Sequence, residues 1–255
     1  MLELTLETRV DLASSSLRHG AGLFETIRWQ EGRARWLELH LERMAQGCAF
    51  LGLEAPPQAQ EIHDFLDRHQ IGKGLSFGAL RLVAVDDRLH LWVEAMPPPS
   101  AAPVSLGRSR AVTRFSADPW LRFKTLSYLP NHTMAQEAAS NGHFDVIALN
   151  ERGFLTDGGR TSLFVGLERR IYTPPVEDGA LPGIGRRLIL EAGLAEERSL
   201  RWEDLGQAES LFLINALRGG LPVFQLEKSR HFSLTRDMME AILALWHGAT
   251  DSRSS

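Results

Sequence analysis

Segments with the two-residue period of β-strands alternate with segments of helical period along most of the chain. Residues 22–29 alternate as a strand, and Glu31-Gly32 then forms a turn, which predicts a hairpin. From Trp36 the apolar residues recur at helical spacing instead. The change of period recurs later, where a helix over 131–140 precedes a strand over 144–149. This alternation predicts an α/β (α+β) fold made of hairpins and short helices.

A proline-rich segment interrupts the regular pattern near the middle of the chain. Residues 97–103 contain four prolines, the densest such cluster in the sequence. Because a strand over 104–113 can still follow this segment, we place the domain junction near Ser116. A chain of 255 residues has room for two small domains. We therefore expect one domain over residues 1–115 and a second over 116–255.

Charge and cysteine content favour a small-molecule partner. A formal net charge of −4 and a pI near 6.1 give no basic footprint for nucleic acid. Cys48 is the only cysteine, which excludes an internal disulfide framework and a thiolate metal cluster. The first residues are acidic where a secretory signal is basic, and no apolar run reaches membrane-spanning length. We expect a cytoplasmic protein with no nucleic-acid partner, no membrane partner and no metal.

Lys124 is the candidate catalytic residue. It is one of three lysines and lies in the apolar stretch 123–129, whereas Lys73 lies in a Gly-rich turn and Lys228 in a polar turn. Arginine cannot lose its proton near neutral pH, but a desolvated lysine amine can, and only a neutral amine attacks a carbonyl to form a Schiff base. The alternative is an amphipathic lysine that buries its stem and hydrates its head.

Four further positions supply what a pyridoxal-phosphate enzyme needs beside its lysine. Tyr128 is close enough in sequence to share the lysine pocket and hold the phenolate oxygen of the cofactor. Asp157 can keep the pyridine nitrogen protonated, and Arg43 can add a fixed charge for the phosphate. Gly183-Ile184, at a helix start, can offer backbone N–H groups to the same phosphate. Each position also has an ordinary structural reading, as a buried aromatic, a turn residue, a solvated helix charge or a helix-start glycine.

Five ordered motifs between about Ser16 and Val223 resemble those of the fold-type IV pyridoxal-phosphate enzymes. This family comprises branched-chain aminotransferases, D-amino-acid aminotransferases and aminodeoxychorismate lyases. The motifs are Phe24-Glu25-Thr26-Ile27-Arg28, His40-Leu41-Glu42-Arg43, Lys124-Thr125-Leu126-Ser127-Tyr128-Leu129, Leu149-Asn150-Glu151-Arg152-Gly153-Phe154-Leu155-Thr156 and Leu181-Pro182-Gly183-Ile184-Gly185-Arg186.

The resemblance implies a role for each candidate residue. Lys124 is the Schiff-base lysine and proton shuttle, and Tyr128 bonds to the ring oxygen. Asp157 meets the pyridine nitrogen, while Arg43 and the backbone of Gly183-Ile184 hold the phosphate of pyridoxal 5'-phosphate. The implied fold is a small N-terminal α/β domain and a larger C-terminal domain with a barrel-like sheet, assembled as a homodimer.

The run from Phe212 to Val223 distinguishes the branches of the family. Aminotransferases usually have Gly-Thr or Ser-Thr where this chain has Asn215-Ala216, and an Asn-Ala-Leu run followed by Pro-Val resembles aminodeoxychorismate lyase. By this likeness Ala216 and Leu217 offer backbone N–H groups to the phosphate, and Arg218 is a candidate for a substrate carboxylate. The expected reaction converts 4-amino-4-deoxychorismate to p-aminobenzoate and pyruvate. The alternative is a branched-chain or D-amino-acid aminotransferase, which needs a keto-acid acceptor.

Two departures from the family pattern bear on the site. Asp157 stands where the family has glutamate, and Ser162 stands where it has asparagine. Aspartate is one methylene shorter, so its contact with the ring nitrogen requires a shifted ring or a bridging water. These changes also permit a relative that binds the cofactor without turnover.

Ser76, in Gly74-Leu75-Ser76-Phe77-Gly78, matches the nucleophile-elbow pattern of serine hydrolases. A nucleophile elbow requires a strand, a sharp turn and then a helix, whereas the residues after Ser76 read as a strand. The sequence therefore argues against hydrolase chemistry.

Overall fold

The computed structural model describes residues 1–100, 102–227, 230–232, 242 and 244–246. The chain forms two compact units. The first unit contains Met1–Pro99 and Phe123–Tyr128, and the second contains Ser100–Arg122 and Leu129–Ser255. Lys228, expected in a polar turn, lies outside the described residues.

A five-stranded sheet forms the framework of the first unit. Its order is β1-β5-β4-β2-β3, with β1 parallel to β5 and the other neighbours antiparallel. The strands are β1 (Glu3–Thr5), β2 (Leu23–Gln30), β3 (Arg33–Ala34), β4 (Phe77–Val85) and β5 (Arg88–Ala95). Three helices accompany them: α1 (Ser15–His19), α2 (Leu37–Leu51) and α3 (Ala59–Arg68).

Helix α2 covers one face of this sheet, and its apolar stripe is the one that the sequence predicts. The stripe is buried in one core with Leu23 and Ile27 of β2, and each large apolar side chain buried in this way stabilises the unit by about 1.5–3 kcal/mol. At Gly47 the helix approaches the strand so closely that an added Cβ would lie 2.7 Å from the Leu23 side chain. The stripe consists of Leu37, Leu41, Met44 and Cys48.

Residues 123–128 return to the first sheet and pair with the beginning of β2. The Phe24 N–H donates to the Lys124 carbonyl at 2.9 Å, and the Leu126 N–H donates to the Gly22 carbonyl, also at 2.9 Å. Leu23 and Thr125 form an antiparallel bridge between these two bonds. The main chain of Lys124 is therefore held in register with β2 by backbone hydrogen bonds.

A nine-stranded sheet forms the framework of the second unit. Its order is β11-β10-β9-β12-β13-β6-β7-β8, with β14 also paired to β13. The strands are β6 (Val104–Arg114), β7 (Asp145–Asn150), β8 (Leu155–Gly158), β9 (Ser162–Leu167), β10 (Arg170–Thr173), β11 (Glu196–Glu197), β12 (Ser210–Asn215), β13 (Gly219–Leu226) and β14 (Arg230–His231). The helices are α4 (Leu129–Asn141) and α5 (Ile184–Glu191), with 3₁₀ turns at Pro119–Arg122, Val176–Asp178 and Trp202–Gly206.

Strand β6 joins the second sheet, where it runs parallel to both β13 and β7. The compact units therefore change at Pro99-Ser100, before this strand, whereas the sequence places the junction after it, near Ser116. The division into domains 1–115 and 116–255 stays a prediction. The mixture of hairpins and short helices is the α/β (α+β) class that the sequence predicts. Within the described part of the chain, no helix has both the length and the apolar character to cross a bilayer.

Candidate active site

Lys124 places its amine against aromatic rings. The half-buried side chain brings Nζ to 4.1 Å from the centre of the Phe24 ring and 4.5 Å from that of Tyr128. Nζ also donates to the Tyr128 hydroxyl at 3.2 Å. The two rings meet edge to face at 4.9 Å, which fixes the aromatic wall beside the amine. The structure thus brings together the two residues that the sequence assigns to one pocket.

Arg43 is held by a buried carboxylate on β2. Its Nε donates to Glu25 Oε1 at 2.8 Å and its Nη2 donates to Glu25 Oε2 at 2.6 Å. His40, one helical turn before Arg43, places Nδ1 2.7 Å from the same Oε2. Both Glu25 and His40 are 1% exposed. The bidentate ion pair fixes the direction of the guanidinium.

The charges in this cluster are well defined. Burial alone would raise the pKa of Glu25, but the charges of Arg43 and His40 and their hydrogen bonds lower the pKa to about 2. Burial lowers the pKa of His40, against the attraction of Glu25, and the charges of Arg43 and Lys124 lower it further. A neutral His40 must donate from Nδ1, because the ionised Glu25 can only accept. Glu25 is therefore an anion and His40 a neutral donor at neutral pH.

Glu25 and His40 belong to quoted motifs, but the sequence gives them no role in the site. The sequence did indicate that Glu25 is buried, because Glu25 shares the core-facing side of β2 with Leu23 and Ile27. A carboxylate on such a face requires a partner. Its partner could not be identified from the strand alone, since His40 and Arg43 lie on a different element.

Asp157 lies on β8 and is buried in the second unit. Its Oδ2 accepts from the Leu181 N–H at 3.0 Å, which ties the strand to the segment before α5. The turn that follows β8 is organised by the fully buried Asp145, which accepts from the Gly159 N–H at 3.0 Å and from Thr161 Oγ1 at 2.7 Å. Burial raises the pKa of Asp145, although these bonds oppose the shift.

Gly183 is the N-cap of α5, with φ −66° and ψ 141°, and the helix start has no side-chain cap. The helix begins at Ile184. A Cβ on Gly183 would lie 2.9 Å from Ser162 Oγ. An uncapped helix start presents backbone N–H groups and the positive end of the helix dipole. This arrangement favours an anion at residues 183–184.

The segment 215–218 forms the turn between β12 and β13. Asn215 Oδ1 accepts from the Arg218 N–H at 2.8 Å and thereby closes the turn. Ala216 and Leu217 are half-buried, whereas Arg218 is exposed, with its guanidinium 6.0 Å from the centre of the Phe144 ring. The phosphate role of Ala216 and Leu217 and the carboxylate role of Arg218 stay predictions.

A cavity of about 330 Å³ lies in the first unit, between residues of β2, β4, β5 and the segment 123–128. This volume is in the range of small-molecule sites. Its walls are mainly apolar, with one arginine and two glutamates. The lining residues are Phe24, Glu25, Arg81, Val83, Trp92, Glu94, Leu126 and Tyr128. Because Tyr128 also contacts the amine of Lys124, the cavity adjoins the candidate catalytic residue.

Two other site types find no support among the described residues. Ser76 lies immediately before strand β4, so the strand-turn-helix context of a hydrolase nucleophile is not formed there. Over the described ranges, no group of three or more His, Cys, Asp or Glu side chains is arranged to hold a metal ion.

Comparisons with known proteins identify relatives of this chain. The chain is 26% identical over 241 residues to the bifunctional aminodeoxychorismate lyase / D-amino acid transaminase of Mycobacterium tuberculosis, covering 83% of each chain. It is 26% identical over 250 residues to the aminodeoxychorismate lyase of Bacillus subtilis, covering 89% of this chain and 85% of the relative.

Solved structures show the same fold. The fold IV-transaminase of Curtobacterium pusillum superposes with a TM-score of 0.79 at 26% identity, covering 95% of this chain and 89% of the other. The predicted fold class is confirmed by this match. The family model described as amino-transferase class IV matches residues 22–226. Because this match covers most of the chain, the chain belongs to the class IV aminotransferase family of pyridoxal-phosphate-dependent enzymes.

Proposed function

We propose that this protein is a pyridoxal-phosphate-dependent aminodeoxychorismate lyase, which converts 4-amino-4-deoxychorismate to p-aminobenzoate and pyruvate. The placement of the Lys124 amine, 3.2 Å from the Tyr128 hydroxyl and against two aromatic rings, carries the proposal. The lyase branch is supported by the Asn215-Ala216-Leu217 run and by the activities for which the M. tuberculosis and B. subtilis relatives are named.

The residues present fit a cofactor that carries an aldehyde and a phosphate. Lys124 provides an amine beside an aromatic wall, and the uncapped start of α5 provides N–H donors for an anion. A side chain at position 183 would crowd this helix start, because its Cβ would meet Ser162 Oγ. When bound, pyridoxal phosphate supplies an aldehyde that condenses with amines and a protonated ring that stores an electron pair.

We assign the proton transfers to Lys124. Its amine removes the proton from the amine-bearing ring carbon of the substrate, after which enolpyruvate leaves and the ring becomes aromatic. Protonation of the enolpyruvate then gives pyruvate. In this proposal the Tyr128 hydroxyl, which accepts from Nζ, also bonds to the ring oxygen of the cofactor.

The remaining residues bind and orient in this proposal. The guanidinium of Arg43, oriented by its two bonds to Glu25, binds the phosphate. The backbone N–H groups at Gly183-Ile184 and at Ala216-Leu217 bind the same phosphate. Asp157 meets the ring nitrogen, and Arg218 binds a substrate carboxylate. We further propose a homodimer in the cytoplasm, which sedimentation equilibrium and cell fractionation can test.

The alternative is a D-amino-acid or branched-chain aminotransferase. The name of the M. tuberculosis relative includes both a lyase and a D-amino acid transaminase, which supports retaining this candidate. In that reaction the same lysine would remove and return the proton, and a keto acid would be required as acceptor of the amino group.

Substrate dependence separates the two activities. Release of pyruvate from 4-amino-4-deoxychorismate without any amino acceptor is the expected result. Turnover that depends on 2-oxoglutarate would assign the protein to the aminotransferases. A visible cofactor spectrum with neither activity would identify a binding relative without turnover.

The role of Lys124 is tested by borohydride reduction of the purified protein, followed by peptide mapping. The expected result is a pyridoxyl group on Lys124, with no visible chromophore in Lys124→Ala. Lys73→Ala is the matched control, because Lys73 is exposed in a turn of the same unit. A pyridoxyl group elsewhere, or an unchanged chromophore in Lys124→Ala, would contradict the proposal.

A further inference from the structure

One wall of the cavity beside Tyr128 carries an arginine whose donors face acceptors of the protein itself. Arg81 Nε donates to Glu94 Oε1 at 2.9 Å, and its Nη2 donates to the same oxygen. Nη1 donates to Thr26 Oγ1 at 2.8 Å. The guanidinium therefore enters the cavity with three of its nitrogen positions already in use.

The sheet register explains why these groups meet. Thr26 lies directly opposite Arg81 on the neighbouring strand β2, and Trp92 lies opposite it on β5. Glu94 is two residues beyond Trp92, so its side chain projects from the same face of the sheet, diagonal to Arg81. The ion pair is thus built into adjacent strands rather than into a mobile loop.

Apart from Glu25 and Tyr128, the rest of the wall is apolar. Phe24, Val83, Trp92 and Leu126 line the cavity together with the ion pair. An arginine in such a wall would ordinarily recognise a ligand carboxylate, because its planar fork matches two carboxylate oxygens. Here Glu94 takes that place, and its negative charge also repels a second carboxylate.

We propose that Glu94 is a specificity-determining residue that excludes carboxylate-bearing substrate groups from this cavity by occupying Arg81. The cavity then receives an uncharged, apolar part of the substrate, and any carboxylate of the substrate binds elsewhere. This deepens the proposed function and rests on it only in taking the cavity beside Lys124 as the place where substrate enters.

The test compares the binding of two five-carbon acids, glutarate and pentanoate, to the purified holoenzyme by calorimetry. Glu94→Gln frees the guanidinium of Arg81 and removes a negative charge that repels the ligand. Glutarate is therefore expected to bind about ten-fold more tightly to this variant than to the wild type. Pentanoate affinity should change by less than about two-fold, since the apolar wall is unaltered.

Two further variants test whether the change in glutarate affinity depends on Arg81 and not on net charge alone. Glu7→Gln is the matched control, because Glu7 pairs with Arg88 near the other end of β5, outside the cavity, and its loss changes the net charge equally. It should alter neither affinity. In the double variant Glu94→Gln/Arg81→Met the gain for glutarate should disappear.

Unchanged or undetectable glutarate binding in Glu94→Gln would overturn the inference, as would a gain that persists without Arg81. These outcomes are distinct from failure of the proposed function. If Glu94→Gln binds glutarate more tightly but the protein acts on neither substrate class, the inference about Glu94 is supported and the proposed function is wrong. If the protein has lyase or aminotransferase activity but glutarate binding is unaltered in Glu94→Gln, the inference about Glu94 is wrong and its failure does not affect the proposed function.

Discussion

Replacing Glu25 by glutamine tests the buried ion cluster of the first unit. The pKa of Glu25 falls from 4.5 to about 2 in the folded protein, a difference that corresponds to about 3 kcal/mol at neutral pH. Removing one member of a buried ion pair typically costs about 3–5 kcal/mol. Glu25→Gln should therefore destabilise the region of α2 and β2 by about 3 kcal/mol at pH 7.

The pH dependence has a definite sign. The folded pKa of Glu25 is depressed, so its contribution to stability is present above the unfolded pKa near 4.5 and is lost as the pH falls toward 2. The gap in unfolding free energy between wild type and Glu25→Gln should accordingly narrow across this window.

Hydrogen exchange of peptides from α2 and β2, measured from pH 3 to pH 7, reads this free energy locally. Glu38→Gln is the matched control, because Glu38 is exposed in the first turn of the same helix. Its loss should cost only a few tenths of a kcal/mol. The reasoning would be refuted by a destabilisation below 1 kcal/mol in Glu25→Gln. It would also be refuted if the difference in unfolding free energy between wild type and variant did not change with pH.

Two predictions concern the second unit. Gly183→Ala should weaken cofactor affinity several-fold, because the new Cβ meets Ser162 Oγ at 2.9 Å. Equilibrium dialysis should show that the affinity recovers in the double variant Gly183→Ala/Ser162→Ala. If the affinity does not recover, contact with Ser162 is not the cause. Asp157→Asn should lower kcat about 30- to 100-fold, because it would replace the charge-assisted hydrogen bond that we propose to the ring nitrogen by a neutral one. Steady-state kinetics measure this effect, and an unchanged kcat would show that Asp157 does not bind the ring nitrogen.

Local patterns predicted the elements well. The apolar stripe of α2 and the hairpin before it follow from spacing alone, and the helix expected over 131–140 extends over Leu129–Asn141. The strand expected over 144–149 forms at Asp145–Asn150. These features depend on residues that are near one another in the chain, which is the range over which period and turn signals act.

Features that depend on distant residues were not predicted. The sequence placed residues 1–115 together, but the attachment of β6 to the second sheet depends on its pairing with β7 and β13. The cluster of Glu25 with His40 and Arg43, and the pair formed by Arg81 and Glu94, likewise join separate elements. A single sequence shows that such a charge needs a partner, but it does not show which residue is the partner.

The pairing of residues 123–128 with β2 has a consequence for biosynthesis. The edge formed by Gly22 and Phe24 receives its backbone partners only when Lys124 and Leu126 have left the ribosome. Because roughly a hundred residues separate the two pairing segments, closing this contact costs loop entropy and slows folding. A nascent chain that ends at residue 99 therefore contains every strand of the first sheet but lacks the segment bearing the amine. Lys124 is consequently among the last parts of this unit to be set in place during translation.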